Sequence, residues 1–68
     1  MDKKTKFAVY VAEIYKENKK LTGRELEDIF SKYGVWEYII EFYEILHING
    51  SSYIIADIDK YIDSKING

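Results

Sequence analysis

The segment from Val35 to Leu46 constrains the fold more than any other part of the chain, because nine of its twelve residues are apolar or aromatic. Drawn as an α-helix, it places its only charged residues, Glu37, Glu41 and Glu44, within about 60° of one another. The other ~300° is apolar, whereas an ordinary surface helix carries an apolar stripe of about 100°. The pattern predicts a helix over residues 35–46 that is either wrapped by the rest of the fold or offers apolar surface to another molecule.

The short length of the chain limits how far that helix can be wrapped. Sixty-eight residues predict a single small globular domain over residues 1–68, and a domain of about 60 residues buries only ~60% of the surface of its unfolded chain. The chain has no cysteine and one histidine, which excludes a disulfide framework and argues against a metal site. Its eleven aromatic residues must supply much of the core, since each can bury ~150–250 Å².

The sequence also lacks the long apolar segments of membrane and exported proteins. No apolar run approaches the ~20 residues of a membrane-spanning helix. The first residues, Met1 to Lys6, lack the apolar core of a signal peptide. We therefore expect a cytoplasmic protein with no membrane partner.

Two further helices are predicted before the apolar segment. The first covers residues 3–18, where apolar side chains recur at helical spacing. The residues of this stripe are Phe7, Val11, Ile14 and Tyr15. The second helix begins at Thr22, which has the spacing of a capping box with Glu25. It ends at Gly34, since glycine favours the left-handed backbone that stops a helix.

Residues 47–56 are predicted to form the only extended element. Asn49-Gly50 is a strong two-residue hairpin signal, and Tyr53-Ile54-Ile55 favours extended backbone. Asp57 is then expected to cap a short last helix. The predicted fold class is mainly α, a compact four-helix domain with a short β-hairpin-like element and a helix-turn-helix or winged-helix-like outline.

No arrangement of side chains indicates an enzyme. Glu37, Glu41 and Glu44 are the only clustered carboxylates, and on an apolar helix they are more simply its solvated edge. His47 has no cysteine or obvious serine partner for a nucleophilic pair. The four glycines are isolated rather than grouped in a phosphate-binding loop. The sequence predicts a non-enzymatic protein with no cofactor and with no catalytic, cofactor-binding or metal-binding residues.

The helix-turn-helix outline raises nucleic acid as a partner, but the charges argue against it. The helix that would enter the major groove covers residues 35–46 and carries three glutamates and no basic residue. Binding of this kind relies on lysine and arginine contacts to phosphates. The lysines lie instead around both ends of the first helix, at Lys3, Lys4, Lys6, Lys16, Lys19 and Lys20. A nucleic-acid-binding regulator remains an alternative through that lysine cluster only.

The surplus of aromatic residues on the third helix favours a protein partner. Tryptophan, tyrosine and phenylalanine are enriched where proteins dock, and four of them fall on this one helix. The candidate protein-binding residues are Trp36, Glu37, Tyr38, Glu41, Phe42, Tyr43 and Glu44. The sequence thus predicts a protein-interaction module. A self-associating domain, a homodimer whose third helices pack on each other, is a further alternative.

Cap, turn and core patterns recur along nearly the whole chain. They include Leu21-Thr22-Gly23-Arg24-Glu25-Leu26, Lys32-Tyr33-Gly34-Val35, Tyr43-Glu44-Ile45-Leu46-His47 and Tyr53-Ile54-Ile55-Ala56-Asp57-Ile58. Together they resemble a family of short bacterial proteins classed as a domain of unknown function, whose members are encoded near ADP-ribosyltransferase-like toxin genes. The resemblance supports the fold and supplies no catalytic residues. It implies a small accessory or antitoxin-like protein that binds a partner.

Overall fold

Five helices and the turns between them make up the computed structural model, which describes residues 1–68. The helices are α1 (Lys3–Lys19), α2 (Gly23–Lys32), α3 (Val35–Glu41), α4 (Tyr43–Leu46) and α5 (Ser51–Asn67). α1 packs against α2, α3 and α5, while α3 also contacts α2 and α5. The molecule measures 28 × 25 × 20 Å. The prediction of a compact, mainly α domain is confirmed.

The helix boundaries predicted from local signals are present. The Thr22 Oγ1 accepts from the Glu25 amide at 3.1 Å, and the Glu25 carboxylate accepts from the Thr22 amide at 2.8 Å, which completes the capping box. Gly34 has φ 68° between α2 and α3, a conformation that costs other residues ~1–2 kcal/mol. Both features depend only on residues that are close in sequence. The start and the end of α2 are therefore specified by the residues at those positions.

The expected hairpin over residues 47–56 is wrong. Residues 47–50 form a turn, and α5 begins at Ser51, so that Asp57 lies inside the helix rather than at its cap. A two-stranded hairpin is marginal in water, whereas the helix places Ile54, Ile58 and Ile62 at i, i+4 and i+8 in the core. Tertiary burial therefore overrides the β preference of this segment. The four-helix count is corrected to five, and the fold has no wing.

The predicted helix over residues 35–46 is present as two segments divided at Phe42. Phe42 has φ −102° and ψ 24° and belongs to neither α3 nor α4. Its amide still donates to the Tyr38 carbonyl at 3.0 Å, and its carbonyl accepts from the Leu46 amide at 3.0 Å. Helical spacing is therefore kept through the bend, and Val35, Ile39 and Leu46 all face the interior.

One hydrophobic cluster forms the core. Its members are Ala8, Val11, Ala12, Tyr15, Leu26, Phe30, Val35, Ile39, Ile54, Ile58 and Ile62. The Phe30 ring is at the aromatic centre, with its centroid 5.5 Å from that of Tyr15 and 5.1 Å from that of Trp36. No buried side-chain nitrogen or oxygen lacks a hydrogen-bond partner. None of the five helices combines the length and the apolar character needed to cross a membrane.

Candidate protein interface

α5 is attached to the rest of the domain by two tyrosine–aspartate hydrogen bonds. The Tyr38 hydroxyl on α3 donates to Asp57 Oδ2 at 2.5 Å, and the Tyr15 hydroxyl on α1 donates to Asp59 Oδ1 at 2.7 Å. Asp57 and Asp59 are two residues apart on α5, so their side chains project about 200° apart. The Lys19 ammonium donates to the second oxygen of Asp59 at 2.7 Å. The two bonds fix α5 between α1 and α3.

Both hydroxyls are held in the neutral, donating form. Burial is the main cause that raises the pKa of Tyr15, and its hydrogen bond to Asp59 raises it further. The pKa of Tyr38 is raised in the same way, by burial first and then by the hydrogen bond to Asp57. Each tyrosine therefore remains a hydrogen-bond donor at neutral pH.

The rings of α3 and α5 form a row beside the Tyr38–Asp57 bond. The Tyr38 ring stacks on Tyr61 with a centroid distance of 4.0 Å and an interplanar angle of 21°. The Phe42 ring is tilted against Tyr38 at 4.9 Å. Tyr38 and Tyr61 are half-buried and also pack on the core, whereas the Phe42 side chain is 40% exposed. Of the three rings in the row, Phe42 is therefore the most exposed.

Two more exposed side chains extend that edge. Ile45 is three residues after Phe42, on the next helical turn, and is 55% exposed. Tyr53 precedes Asp57 by one turn of α5 and is 48% exposed. The resulting surface, named here the Phe42 face, consists of Tyr38, Phe42, Ile45, Tyr53 and Tyr61. It combines stacked rings with apolar side chains that have no cover in the domain.

Carboxylates border the Phe42 face. Glu37, Glu41 and Glu44 are all exposed, and neither of the two ion pairs in the structure involves them. The stretch from residue 33 to residue 59 contains five acidic residues and no lysine or arginine. The predicted solvated strip of glutamates is therefore present beside the exposed rings.

The structure brings together only part of the predicted set of binding residues. Tyr38, Phe42 and the three glutamates lie on or beside the Phe42 face. Trp36 is half-buried against Phe30 at 5.1 Å. Tyr43 is half-buried, edge-on to Phe7 at 5.3 Å and stacked on His47 at 4.4 Å. Trp36 and Tyr43 therefore pack away from Phe42, toward α2 and α1.

Sequence reasoning did not include Ile45, Tyr53 or Tyr61 in the site. Ile45 could have been found on the helical wheel, where it is adjacent to the glutamate strip rather than opposite it. Tyr53 and Tyr61 could have been found only with a helix over residues 51–67. In that helix Tyr53, Asp57 and Tyr61 recur every four residues, on a stripe beside the buried isoleucines.

A groove of about 650 Å³ opens at the Tyr61 end of the aromatic row. Two of its seven lining residues are hydrophobic, and the others include Glu37 and two lysines near the ends of helices, Lys32 and Lys65. The Lys65 ammonium is 5.3 Å from the Tyr61 ring centroid, and the Lys32 ammonium is 5.4 Å from that of Tyr33. Small-molecule pockets are mostly apolar and enclosed, so this groove has the character of a solvated surface.

Fold and surface together define a small all-α domain with an exposed aromatic face and an acidic border. Residues 6–65 match the family model described as a protein of unknown function, DUF3791, and the chain belongs to this family. This confirms the resemblance to a domain of unknown function. No curated protein and no solved structure matches the chain.

Proposed function

We propose that this chain is a non-enzymatic protein-interaction module that binds another protein through the Phe42 face. The single observation that carries the proposal is the exposure of Phe42 at 40%, continuous with Ile45 at 55%. Contiguous exposed aromatic and aliphatic side chains mark interaction sites on small soluble domains. A ring that is already positioned by Tyr38 loses little entropy on binding, so it can act as an anchor.

The apolar side chains of the Phe42 face supply only part of the free energy that a complex requires. Full burial of a Phe or Ile side chain is worth ~1.5–3 kcal/mol, so covering the half-exposed Phe42, Ile45 and Tyr53 contributes about 3 kcal/mol from this side. Association itself costs ~4–15 kcal/mol. A specific complex therefore needs a matching apolar surface on the partner and polar contacts at the border of the face.

The regulatory part of the proposal comes from the family resemblance. An accessory or antitoxin-like protein that acts by covering a surface of its partner requires an exposed face and no catalytic group. We propose that this chain neutralises or regulates its partner in that way. The partner is then a protein encoded near the gene for this chain.

The geometry disfavours a homodimer in which two third helices pack on each other. A two-fold interface uses the same surface of both copies, so packing the third helices on each other would bring the glutamates Glu37, Glu41 and Glu44 of both copies into one interface. Like charges at close range destabilise such an interface. A nucleic-acid partner meets the same difficulty, because the Phe42 face carries carboxylates and no lysine or arginine except Lys65 at its edge.

Site-specific photocrosslinking in the native cell tests the proposal. A benzophenone side chain replaces Phe42 in one variant and Tyr10 in the matched control, since Tyr10 on α1 is 46% exposed and outside the Phe42 face. We expect one defined protein adduct from position 42 that is absent from position 10. Equal labelling from both positions, or no adduct from position 42, would contradict the proposal.

A further inference from the structure

The unpaired carboxylates around the Phe42 face indicate the chemistry of its partner. Glu37 and Glu41 are exposed, one helical turn apart, and on the side of α3 next to Tyr38. They have no ion-pair partner within the domain, and no lysine or arginine occurs from residue 33 to residue 59. A partner that covers the face must therefore bring positive charge to this border.

Resting on the proposed function above, we propose that the Phe42 face docks an arginine-bearing amphipathic segment of another protein. Apolar side chains of that segment contact Phe42 and Ile45. Its guanidinium groups stack on the exposed Phe42 ring and form ion pairs with Glu37 and Glu41. One ligand thus satisfies both properties of the face, the uncovered rings and the uncompensated carboxylates.

Arginine fits this surface better than lysine because of its shape. A guanidinium is planar, stacks on aromatic rings and forms two parallel hydrogen bonds with a carboxylate, whereas an ammonium is a compact, strongly hydrated charge. The domain already places one cation over a ring at the edge of this face, the Lys65 ammonium, which is 5.3 Å from the centroid of Tyr61. The Phe42 ring has no such cation, so its position is free for one from the partner.

A second copy of the chain is a poorer match for the same surface. The chain has one arginine, Arg24, at the start of α2. Its other cations are lysines, among them Lys3, Lys4 and Lys6 near the start of α1 and Lys65 over the Tyr61 ring near the end of α5. Head-to-tail association through these residues lacks the guanidinium groups that the rings and carboxylates favour.

Labelled peptides test this inference on the full 68-residue chain. Three synthetic peptides of roughly five helical turns share one leucine stripe and carry arginine, lysine or glutamate on the polar face. Fluorescence anisotropy reports binding at low and high salt. We expect the arginine peptide to bind about threefold or more tighter than the lysine peptide, to weaken with salt, and the glutamate peptide not to bind.

Variants assign the binding to the Phe42 face. Phe42→Ala is expected to weaken the arginine peptide about tenfold, and Tyr10→Ala to leave it unchanged. Phe42→Leu keeps an apolar side chain but removes the ring, so it should retain binding and lose the preference for arginine over lysine. Glu41→Gln should weaken binding at low salt and have little effect at high salt. Circular dichroism of each variant confirms that the helices are intact.

Several results would overturn the inference. These are equal binding of the glutamate and arginine peptides, equal binding of the lysine and arginine peptides, or an arginine peptide insensitive to Phe42→Ala. A concentration-dependent dimer that disappears with Phe42→Ala would make the occupant a second copy. A photocrosslink from position 42 to a segment without arginine would uphold the proposed function and overturn only this inference, whereas the absence of any crosslink would contradict the proposed function itself.

Discussion

Tyr38 and Tyr61 stack across the junction of α3 and α5, with ring centroids 4.0 Å apart and planes inclined by 21°. The same Tyr38 donates its hydroxyl to Asp57, one turn before Tyr61 on α5. A single side chain therefore joins the two helices through an apolar contact and a polar one. Tyr38 also contacts the Phe42 ring, with centroids 4.9 Å apart, so the stability of the domain and the shape of its exposed face depend on the same residue.

Two substitutions at Tyr38 separate these contributions. Tyr38→Phe removes the hydroxyl and leaves Asp57 without its donor, which should lower the free energy of unfolding by ~1 kcal/mol. Tyr38→Ala also removes both ring contacts, and for a half-buried ring we expect a loss of about 2–3 kcal/mol. Urea denaturation followed by circular dichroism measures both values. Equal losses for the two variants would show that the stack contributes nothing.

The raised pKa values of Tyr15 and Tyr38 predict a loss of stability in alkali. Their pKa values exceed the ordinary value of 10.0 in the folded state, so below about pH 10 both states are protonated and the two hydrogen bonds contribute in full. Above that pH the unfolded chain ionises while the folded chain does not, and stability falls as pH rises. The free energy of unfolding between pH 8 and pH 12 measures this slope.

The double variant Tyr15→Phe, Tyr38→Phe is the control for that slope. It should be less stable at neutral pH and should lose less of its remaining stability between about pH 10 and pH 12, because it no longer carries the two groups with raised pKa values. The absorbance of ionised tyrosine should also show two fewer late-titrating groups. If the stability of the double variant fell with pH as steeply as that of the original chain, the alkaline loss of stability could not be due to Tyr15 and Tyr38.

The capping box at the start of α2 is a local interaction whose value can be measured alone. Thr22→Ala removes the hydroxyl that accepts from the Glu25 amide at 3.1 Å, and we expect a loss of ~1 kcal/mol in the free energy of unfolding. Ser31→Ala is the matched control, since its hydroxyl bonds only to exposed Glu27 and should change stability by less than about 0.5 kcal/mol. A Thr22 variant no less stable than the Ser31 variant would contradict this role.

Two glycines at opposite ends of α2 should respond with opposite signs. Gly34 has φ 68° and an added Cβ would meet the Tyr61 hydroxyl at 3.6 Å, which is ordinary contact. Gly34→Ala therefore costs ~1–2 kcal/mol for backbone reasons alone. Gly23 is in the first turn of α2 with no atom near an added Cβ, so Gly23→Ala should stabilise by ~0.4–1 kcal/mol. Thermal unfolding measures both changes: the midpoint should fall for Gly34→Ala and rise for Gly23→Ala.

Features fixed by neighbouring residues could be predicted from the sequence, and those fixed by distant ones could not. The Thr22–Glu25 cap and the Gly34 stop depend on residues within three positions of each other. The start of α5 at Ser51 does not, because Tyr53-Ile54-Ile55 prefers extended backbone until the core accepts Ile54 and the residues that follow it at helical spacing. A local reading of this segment therefore predicts the wrong element.

In the candidate site, too, the features set by neighbouring residues could be predicted and those set by distant residues could not. The exposed glutamates and Phe42 follow from the periodicity of the apolar segment. The Tyr38–Asp57 bond spans 19 residues and the Tyr15–Asp59 bond spans 44, and no pattern in the sequence links these pairs. The placement of Trp36 against Phe30, rather than beside Phe42, likewise depends on how α2 and α3 pack.

Binding at Phe42 is measured by the affinity of the crosslinked partner for two variants of this chain. Phe42→Ala and Tyr10→Ala remove aromatic side chains of similar exposure, 40% and 46%, from different helices. Isothermal titration with the purified partner should show at least about a tenfold weaker complex for Phe42→Ala and an unchanged one for Tyr10→Ala. Equal affinities of the two variants, with both still helical, would show that the partner binds elsewhere.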